Sequence, residues 1–288
     1  MRQPAIGTGS LDAKGILRKE EGRQAFHLKL FEPHLELKPW VEYYWAVEWD
    51  LGDDQFVQTV ITNPTIDLSF ENDLISNHSD ACVVVTGVVP RSYQRILRGR
   101  GDVFAIHFHP AMFRSWWGGS VKLLTGKAER LGAGPRHLQT TANEIVSSLL
   151  NRSNASRVSQ IDTFLLDQRP AKDAVAENIR DLVLAARHER TLWETTALAR
   201  QRGVSVRTNQ RQFFEYVGVG PKWVIQRYRI QAAIDILDAE RTGLEEVGDL
   251  TQLALDLGYF DHAHFSRDFR NVTGYTPNNY RKVHGEPS

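Results

Sequence analysis

Apolar residues near the end of the chain recur at a helical spacing that glycines interrupt. The apolar positions are Ala263, Phe265, Phe269 and Val272, and this spacing predicts an amphipathic helix. Asp261 is placed to cap its first turn, and Gly274 is placed to end it, with Pro277 beyond. Gly258 ends a shorter helix just before it. Two helices joined by a glycine turn predict a helix-turn-helix.

The same pattern occurs twice. Arg211-x-Phe213-x4-Gly218-x-x-Pro221 recurs 56 residues later, from 211 to 267, as Arg267-x-Phe269-x4-Gly274-x-x-Pro277. The preceding turn recurs at an offset of 55, since Leu198-Ala199-x3-Gly203 is matched by Leu253-Ala254-x3-Gly258. The second turn is therefore one residue longer. Between the copies, the stretch from Pro221 to Glu240 has a period near 3.6 and predicts a connecting helix.

These residues carry a resemblance to a known family. The matching motifs are Gly203-Val-Ser-Val-Arg-Thr-x-Gln-Arg-x-Phe213, Gly218-Val-Gly-Pro221, Arg229-Ile230 with Ala232, Gly258-Tyr-x-Asp-x-Ala-His-Phe-x-Arg267-x-Phe269 and Gly274-x-Thr-Pro277-x-x-Tyr280-Arg281. From about Asp173 to Lys282 the chain resembles the DNA-binding domain of the AraC/XylS family of transcriptional regulators. Two positions depart from the family pattern. Asn209 stands where the family has an apolar core residue, and Phe260 stands where a small polar residue begins the second recognition helix.

The resemblance implies which side chains meet DNA. Those expected to face the major groove are Arg207, Gln210 and Arg211 in the first motif and His262, Ala263, Ser266 and Arg267 in the second. Those expected to contact phosphates, which position a protein without specifying a sequence, are Lys222, Arg270 and Arg281. Ser205 is the expected N-cap of the first recognition helix. The two motifs would enter major-groove faces about 34 Å apart, one helical turn.

The resemblance also implies partners. Double-stranded DNA is the first, and a small-molecule effector, a second copy of the chain in a homodimer and RNA polymerase are the others. An effector would act by changing the populations of states that differ in DNA affinity. No reaction is implied, so we predict no catalytic residue, no cofactor and no metal site.

The N-terminal half shows the alternation of short strands. The apolar positions are Val41, Tyr43, Trp45, Val47 and Trp49, then Ile66, Leu68 and Phe70, followed by the runs 81–89 and 103–108. Turn residues at 52–54, 71–73 and 99–101 separate them, and this arrangement predicts a barrel or sandwich. Through 38–45 and 104–113 the resemblance implies a cupin-like sensor. The predicted fold class is α+β: a small cupin-like β-barrel with helices, then an all-α domain of two helix-turn-helix motifs.

Domain boundaries follow from the same patterns. We predict a barrel-like sensor domain over residues 1–134, a helical segment that could serve dimerisation and linkage over 135–172, and the DNA-binding domain over 173–288. Within the middle segment, apolar positions predict two helices separated by a polar break at 151–156, and Arg169-Pro-Ala-Lys172 predicts a junction. The first 25 residues are polar and glycine-rich, and we expect them to be loosely ordered.

Composition adds little about the partner but restricts the compartment. The chain has 288 residues, a hydrophobic content of 41% and a formal net charge of zero, which by itself gives no support to nucleic-acid binding. It shows no apolar run long enough to cross a membrane and no signal-peptide pattern, so we expect a soluble, cytoplasmic protein. A single cysteine, Cys82, excludes an intramolecular disulfide and fits a reducing compartment. We expect it to be a buried filler.

Three other protein classes are alternatives. His107 and His109 lie two apart on a predicted strand, a spacing that can share a metal in a cupin-type metal-dependent enzyme. No acidic residue follows closely, so structural histidines are favoured. A protein that couples this domain to alkyl transfer needs reactive cysteines, which Cys82 does not supply. A non-catalytic ligand-binding protein is the other alternative. The aromatic stretch from Trp40 to Trp49 could line a pocket, although core packing is favoured.

Charge predicts unequal roles for the two motifs. Residues 200–229 contain seven cationic side chains and one acidic one, whereas residues 235–268 contain two cationic and nine acidic ones. Phosphate neutralisation supplies much of the affinity for DNA, so nearby carboxylates oppose binding. We therefore predict that the first motif supplies most of the affinity.

Overall fold

A computed structural model describes residues 25–73, 81–131, 136–241 and 248–283. The chain divides into two compact units, which are treated separately. The first contains residues 1–181 together with 211–219. The second contains residues 182–210 and 220–288.

The first unit is built on one antiparallel sheet. Its strands are β1 (His27–Phe31), β2 (Val41–Val60), β3 (Asp67–Asp73), β4 (Cys82–Thr86), β5 (Tyr93–Phe108) and β6 (Ala128–Arg130). They pair in the order β1-β2-β5-β3-β4-β6, so that β1 and β6 are the edges and the described sheet is open rather than closed. An open sheet of this kind is compatible with the predicted cupin-like fold.

The two faces of the sheet have different roles. On one face, Tyr44 and Ala46 pair with Ile106 and Phe104, and all four side chains are buried. Strand β3 continues this face with Phe70, which pairs with Phe104. The other face carries the alternate residues of β2. Side chains alternate across a pleated strand, so the odd-numbered aromatic residues of β2 point away from this core.

Helices cover the buried face. The first unit contains α1 (Arg114–Trp117), α2 (Arg136–Leu150), α3 (Asn154–Asp167) and most of α4 (Ala174–Ala186). The hydroxyl of Tyr44 on β2 donates to Asp162 Oδ1 of α3 at 2.8 Å, and the backbone N–H of His34 donates to the same oxygen at 2.9 Å. Burial is the main reason that the pKa of Tyr44 is raised far above its usual value. Helix α3 is thereby fixed to the sheet.

All three predicted turns lie inside strands, and the one at 71–73 forms the end of β3. The segments 52–54 and 99–101 belong to β2 and β5, where the pairing register shifts between Asp50 and Gln55. Gly101 is required there by packing, since a Cβ at this position would lie 1.9 Å from Cζ2 of Trp49. Trp49 also donates from Nε1 to the carbonyl of Arg98 at 3.0 Å. The glycine therefore admits an indole ring and does not mark a chain reversal.

Helices make up the second unit. After α4 follow α5 (Thr195–Gln201), α6 (Val206–Tyr216), α7 (Pro221–Arg241), α8 (Leu250–Asp256), α9 (His262–Thr273) and α10 (Pro277–Val283). Residues 211–216 of α6 group with the first unit. The predicted α+β class is confirmed, as are the two helix-turn-helix motifs and the connecting helix, which is α7. The boundaries predicted at 134 and 172 stay predictions.

Candidate nucleic-acid interface and N-terminal cavity

The first helix-turn-helix consists of α5 and α6. Gly203 has a positive φ of 64°, and the N–H of Val204 donates to the carbonyl of Ala199 at 3.1 Å, so the chain reverses immediately after α5. Ser205 then caps α6 as predicted, accepting from the N–H of Thr208 at 3.1 Å. Glycine reaches this left-handed backbone conformation without the strain that a side chain adds.

The second motif repeats this geometry in α8 and α9. Gly258 has a φ of 76°, and the N–H of Tyr259 donates to the carbonyl of Ala254 at 3.0 Å. Asp261 caps α9 by accepting from the N–H of His264 at 2.6 Å. Tyr259 thus corresponds to Val204, and Asp261 corresponds to Ser205. The extra residue of the second turn is Phe260, whose side chain is 91% exposed.

The buried faces of the two recognition helices differ at one position. Phe265 and Phe269 of α9 are fully buried one turn apart, and Asn209 and Phe213 are their counterparts in α6. Asn209 accepts from Arg202 Nη1 at 2.8 Å through its side-chain oxygen. The polar residue that departs from the family pattern is therefore held by a neighbouring arginine, and the helix remains intact.

Most residues expected to contact DNA are accessible. The exposed ones are Arg207, Gln210, Arg211, Lys222, Ala263, Arg267 and Arg270. His262 and Ser266 are half-buried, and the Nε2 atom of His262 lies 3.3 Å from the hydroxyl of Ser266. Ala263 was also predicted to lie on the apolar face of α9. That prediction is wrong, because Ala263 is exposed and the buried face of α9 is formed by Phe265 and Phe269. Its exposure leaves it available to a partner.

Several arginines of this region are engaged within the protein. Arg281 donates to Glu240 and reaches the carbonyl of Gly248 at 3.5 Å. Arg229 donates to the carbonyls of Gly258 and Trp193, both at 2.8 Å, which ties the second turn to the connecting helix. The sequence predicts that Arg281 contacts phosphate. Its ion pair with Glu240 could not be predicted from the sequence pattern.

Arg227 is a buried cation of the connecting helix. Its side chain is fully buried, and none of its three guanidinium nitrogens has a hydrogen-bond partner among the described residues. The guanidinium carbon lies 4.8 Å from the centre of the Trp223 ring. Burial lowers the pKa of Arg227 to about 10, because a low-dielectric environment disfavours the charged form.

The two halves of the chain match two different family models. Residues 198–283 match the family model described as "Helix-turn-helix domain", and this match spans both motifs and the connecting helix. The C-terminal domain is an AraC-type helix-turn-helix domain. Residues 29–129 match a different model, "Domain of unknown function (DUF6597)", which covers strands β1 to β6. No curated protein matches the chain.

Solved structures give remote likenesses. A crystal structure of ToxT from Vibrio cholerae O395 is 14% identical, with 92% of this chain and 100% of that chain covered and a TM-score of 0.37. ToxT from the same strain bound to (E)-4-(8-methylnaphthalen-1-yl)but-3-enoic acid is 13% identical, with 90% and 99% covered and a TM-score of 0.38.

The first unit has a cavity on the face of its sheet that carries the odd-numbered residues of β2 from Tyr43 to Trp49. The volume is about 170 Å³, and the wall is mostly apolar, with Tyr43, Trp45 and Trp49 of β2 among the lining residues. These aromatic residues were expected mainly in the core. They line the cavity, and core packing holds for Trp49 as well, because it is buried in a cluster with Phe26, Leu97 and Val103. Val41 lies outside the cavity wall, since the register of β2 shifts between Val41 and Tyr43.

Charged groups gather at one end of this cavity. Asp67 Oδ1 accepts from Trp45 Nε1 at 3.0 Å and lies 2.8 Å from His107 Nδ1. The ring of His107 stacks on Tyr43, with centroids 4.5 Å apart. Glu42 of β2 approaches the same histidine, with its Oε2 3.8 Å from His107 Nε2. The acidic neighbour comes from an adjacent strand, so the local sequence around the histidines could not show it.

His109 lies near the same glutamate, Glu42. Its Nδ1 is 3.9 Å from Glu42 Oε2, and burial lowers its pKa while the Glu42 carboxylate opposes that shift. Among the described residues, no group of three or more His, Cys, Asp or Glu side chains is arranged to hold a metal ion. Cys82, expected as a buried filler, is only half-buried, because it begins β4 opposite Glu71.

In the parts of the chain that the structure describes, no helix combines the length and the apolar character that a membrane span needs.

Proposed function

We propose that this protein is an effector-responsive transcription regulator that binds specific DNA sequences. The observation that carries the proposal is the repeated turn and cap geometry in the C-terminal domain. Each turn has a left-handed glycine and is followed by a capped helix, and each recognition helix keeps one face buried and leaves cationic side chains exposed on the other. Recognition helices of such motifs lie in the major groove.

Within this proposal the exposed side chains divide by role. Arg207, Gln210 and Arg211 read bases in the first motif, because arginine pairs with guanine acceptors and glutamine with adenine. His262, Ala263, Ser266 and Arg267 do so in the second. Lys222 and Arg270 contact phosphates. Arg281 contributes only where phosphate competes with Glu240 for its guanidinium.

Effector response is supported by contacts inside the first unit. Arg114 of α1 donates from Nη2 to Glu215 of α6 at 2.8 Å, and its guanidinium carbon lies 4.2 Å from the centre of the Tyr216 ring. The hydroxyl of Thr125 donates to the carbonyl of Gly218 at 2.7 Å. Part of the first recognition helix is thus held by residues that follow the sheet, so a change of conformation in the sheet domain could act on it directly.

The remaining elements of the proposal concern assembly and location. We infer a homodimer that uses α2 and α3, contact with RNA polymerase at the promoter, and action in the cytoplasm. Size-exclusion chromatography with light scattering tests the dimer. No reaction is part of the proposed function.

The direct test is selection of bound duplexes from a random pool by the full chain. We expect an enriched motif and an affinity that falls as salt rises, because bound phosphates release counterions. Arg211→Ala should weaken binding to the enriched duplex, whereas Arg152→Ala, an exposed arginine of the first unit, should not. If the folded protein enriches no motif and binds all duplexes equally, the regulator function is wrong.

A further inference from the structure

The volume and the lining of the N-terminal cavity indicate which kind of ligand fits it. An engineered apolar cavity of about 150 Å³ holds benzene, and the cavity here measures about 170 Å³. Its wall includes the aromatic rings of Phe26, Tyr43, Trp45 and Trp49. Aromatic faces attract flat apolar groups and also cations. A molecule with one aromatic ring therefore matches both the volume and the wall.

Each cation that lines this cavity has a carboxylate partner. Arg95 lines it, but Glu71 accepts from both terminal guanidinium nitrogens, at 3.4 and 2.8 Å, so that charge is already compensated. His107 lies between Asp67 and Glu42. Among these five groups, three carboxylates face two cations even when His107 is protonated. An anionic ligand would lose its hydration without gaining an uncompensated cation.

Asp67 supplies the polar anchor. The hydrogen bonds from Trp45 and His107 both end on Oδ1, so Oδ2 is the oxygen that a ligand can use. We propose that the cavity binds a small aromatic amine, with its ammonium group donating to Asp67 Oδ2 and its ring lying among the aromatic side chains of β2. The statement that this amine is the effector rests on the proposed function. The statement that the cavity binds it does not.

Three ligands with the same phenylethyl group test the charge preference. Phenethylamine is a cation at neutral pH, 2-phenylethanol is neutral, and 3-phenylpropanoate is an anion. Isothermal titration of the full chain at pH 7 and low salt should give the tightest dissociation constant for the amine, at least tenfold below that of the acid. The alcohol should lie between them. An acid that binds as tightly as the amine, or an amine that does not bind, would overturn the proposal.

Asp67→Asn removes the charge and keeps the shape. We expect a loss of at least fivefold in affinity for phenethylamine, because an ammonium group cannot accept from the amide NH2 that replaces Oδ2. The change for the alcohol should be no more than about twofold, since the NH2 can donate to its hydroxyl oxygen. Asp53→Asn, an exposed carboxylate on the same strand as Trp45, is the matched control and should change neither. If Asp67→Asn leaves amine binding unchanged, the anchor is wrong.

A second variant covers the case in which Asp67→Asn does not fold. Val47 lines the cavity, so Val47→Phe should fill part of it and weaken the amine and the alcohol by a similar factor. If this variant binds both as the parent does, the ligands sit elsewhere and the proposal fails.

DNA binding is measured in parallel on ligand-free protein. Selective duplex binding together with the wrong charge order would contradict the ligand class and leave the regulator function standing. The predicted charge order without any duplex preference would support the ligand class and contradict the regulator function.

Discussion

The guanidinium of Arg157 joins Asp102 of β5 to the end of α2. Its Nη1 donates to Asp102 Oδ1 at 2.8 Å, and its Nε and Nη2 donate to the carbonyls of Leu149 and Leu150 at 3.2 and 2.7 Å. Those carbonyls belong to the last turn of a helix, where no intrahelical donor remains for them. One buried side chain therefore satisfies a carboxylate and two helix-terminal acceptors, and it fixes α2 and α3 against the sheet.

Replacement of this arginine should destabilise the first unit strongly. Arg157→Met keeps much of the volume but leaves Asp102 and the Leu150 carbonyl without this donor, so we expect the free energy of unfolding to fall by about 3 kcal/mol. Urea melts of the full chain, followed by near-ultraviolet circular dichroism, measure the change. Arg152→Met is the control, because that side chain is exposed, and it should stay within about 0.5 kcal/mol of the parent. Equal melts for the two variants would contradict a structural role for Arg157.

Arg227 should behave in the opposite way. Its guanidinium is buried without a hydrogen-bond partner among the described residues, and its pKa is lowered to about 10 by that burial. A charge in this setting destabilises the fold at every pH below about 10, because the unfolded chain solvates it. Arg227→Met should therefore raise the melting temperature of the second unit, corresponding to about 1 kcal/mol.

Scanning calorimetry compares Arg227→Met with Arg207→Met, an exposed arginine of α6. The control should leave the melting temperature nearly unchanged. A lower melting temperature for Arg227→Met would mean that the contact with the Trp223 ring stabilises the guanidinium by more than burial destabilises it, and the prediction would be wrong.

His109 predicts a dependence of stability on pH. Burial holds its pKa below the ordinary value of 6.5, so the unfolded chain binds a proton more readily than the folded chain. Stability should be full above about pH 6.5 and should decrease as the pH falls from there through the lowered pKa. His109→Gln should make the melting temperature of the first unit less sensitive to pH between 5 and 7. His27→Gln, at an exposed site, is the control and should keep the slope of the parent.

The sequence predicts those structural features whose interacting residues lie close together along the chain. The caps at Ser205 and Asp261 and the glycine turns could be predicted, because each depends on residues within one turn of the chain. The ion pair of Arg281 with Glu240 could not, because its partners lie 41 residues apart. Long-range pairing is set by tertiary packing, which a local pattern does not contain.

The N-terminal half illustrates the same limit. From Tyr43 onward, alternation along β2 correctly divided its side chains between two faces, but it missed the register shift after Val41 and could not say which face the helices cover. The presence of Tyr44 beneath α3 decided that, through Asp162, 118 residues away. Trp45 and Trp49 therefore line the cavity. The turn expected at Gly101 was wrong for a related reason, since the glycine is required by the ring of Trp49 from another strand.

Burial also changes the charge comparison between the two DNA-binding motifs. Of the seven cations in residues 200–229, Arg202 is engaged by Asn209, Arg229 by two backbone carbonyls, and Arg227 is buried. The exposed ones are Arg200, Arg207, Arg211 and Lys222. In the second motif, acidic residues also have structural roles, such as the caps at Asp249 and Asp261. The imbalance is smaller than the sequence indicates, but its sign is retained.

We therefore predict that the first motif supplies more of the affinity for DNA. Arg211→Ala should cost about 1–3 kcal/mol of binding free energy on the selected duplex, which is typical for loss of a bidentate contact with guanine. Arg267→Ala should cost clearly less on the same duplex. Fluorescence anisotropy at several salt concentrations measures both, after the variants are shown to melt like the parent. Equal costs, or a larger cost at Arg267, would overturn the predicted asymmetry.

Phe260 explains why the second motif should contribute less, and it allows the explanation to be tested separately. The ring is the extra residue of the second turn, is 91% exposed and directly precedes the cap of α9, so it stands where the helix must approach the phosphates. Phe260→Ser should allow closer docking and raise the cost of Arg267→Ala toward that of Arg211→Ala. A double-mutant cycle measures this coupling. Val206→Ser, at the exposed start of α6, is the control and should not change the cost of Arg267→Ala. If Phe260→Ser weakens binding instead, the ring itself contacts DNA, and the smaller contribution of the second motif must come from its carboxylates.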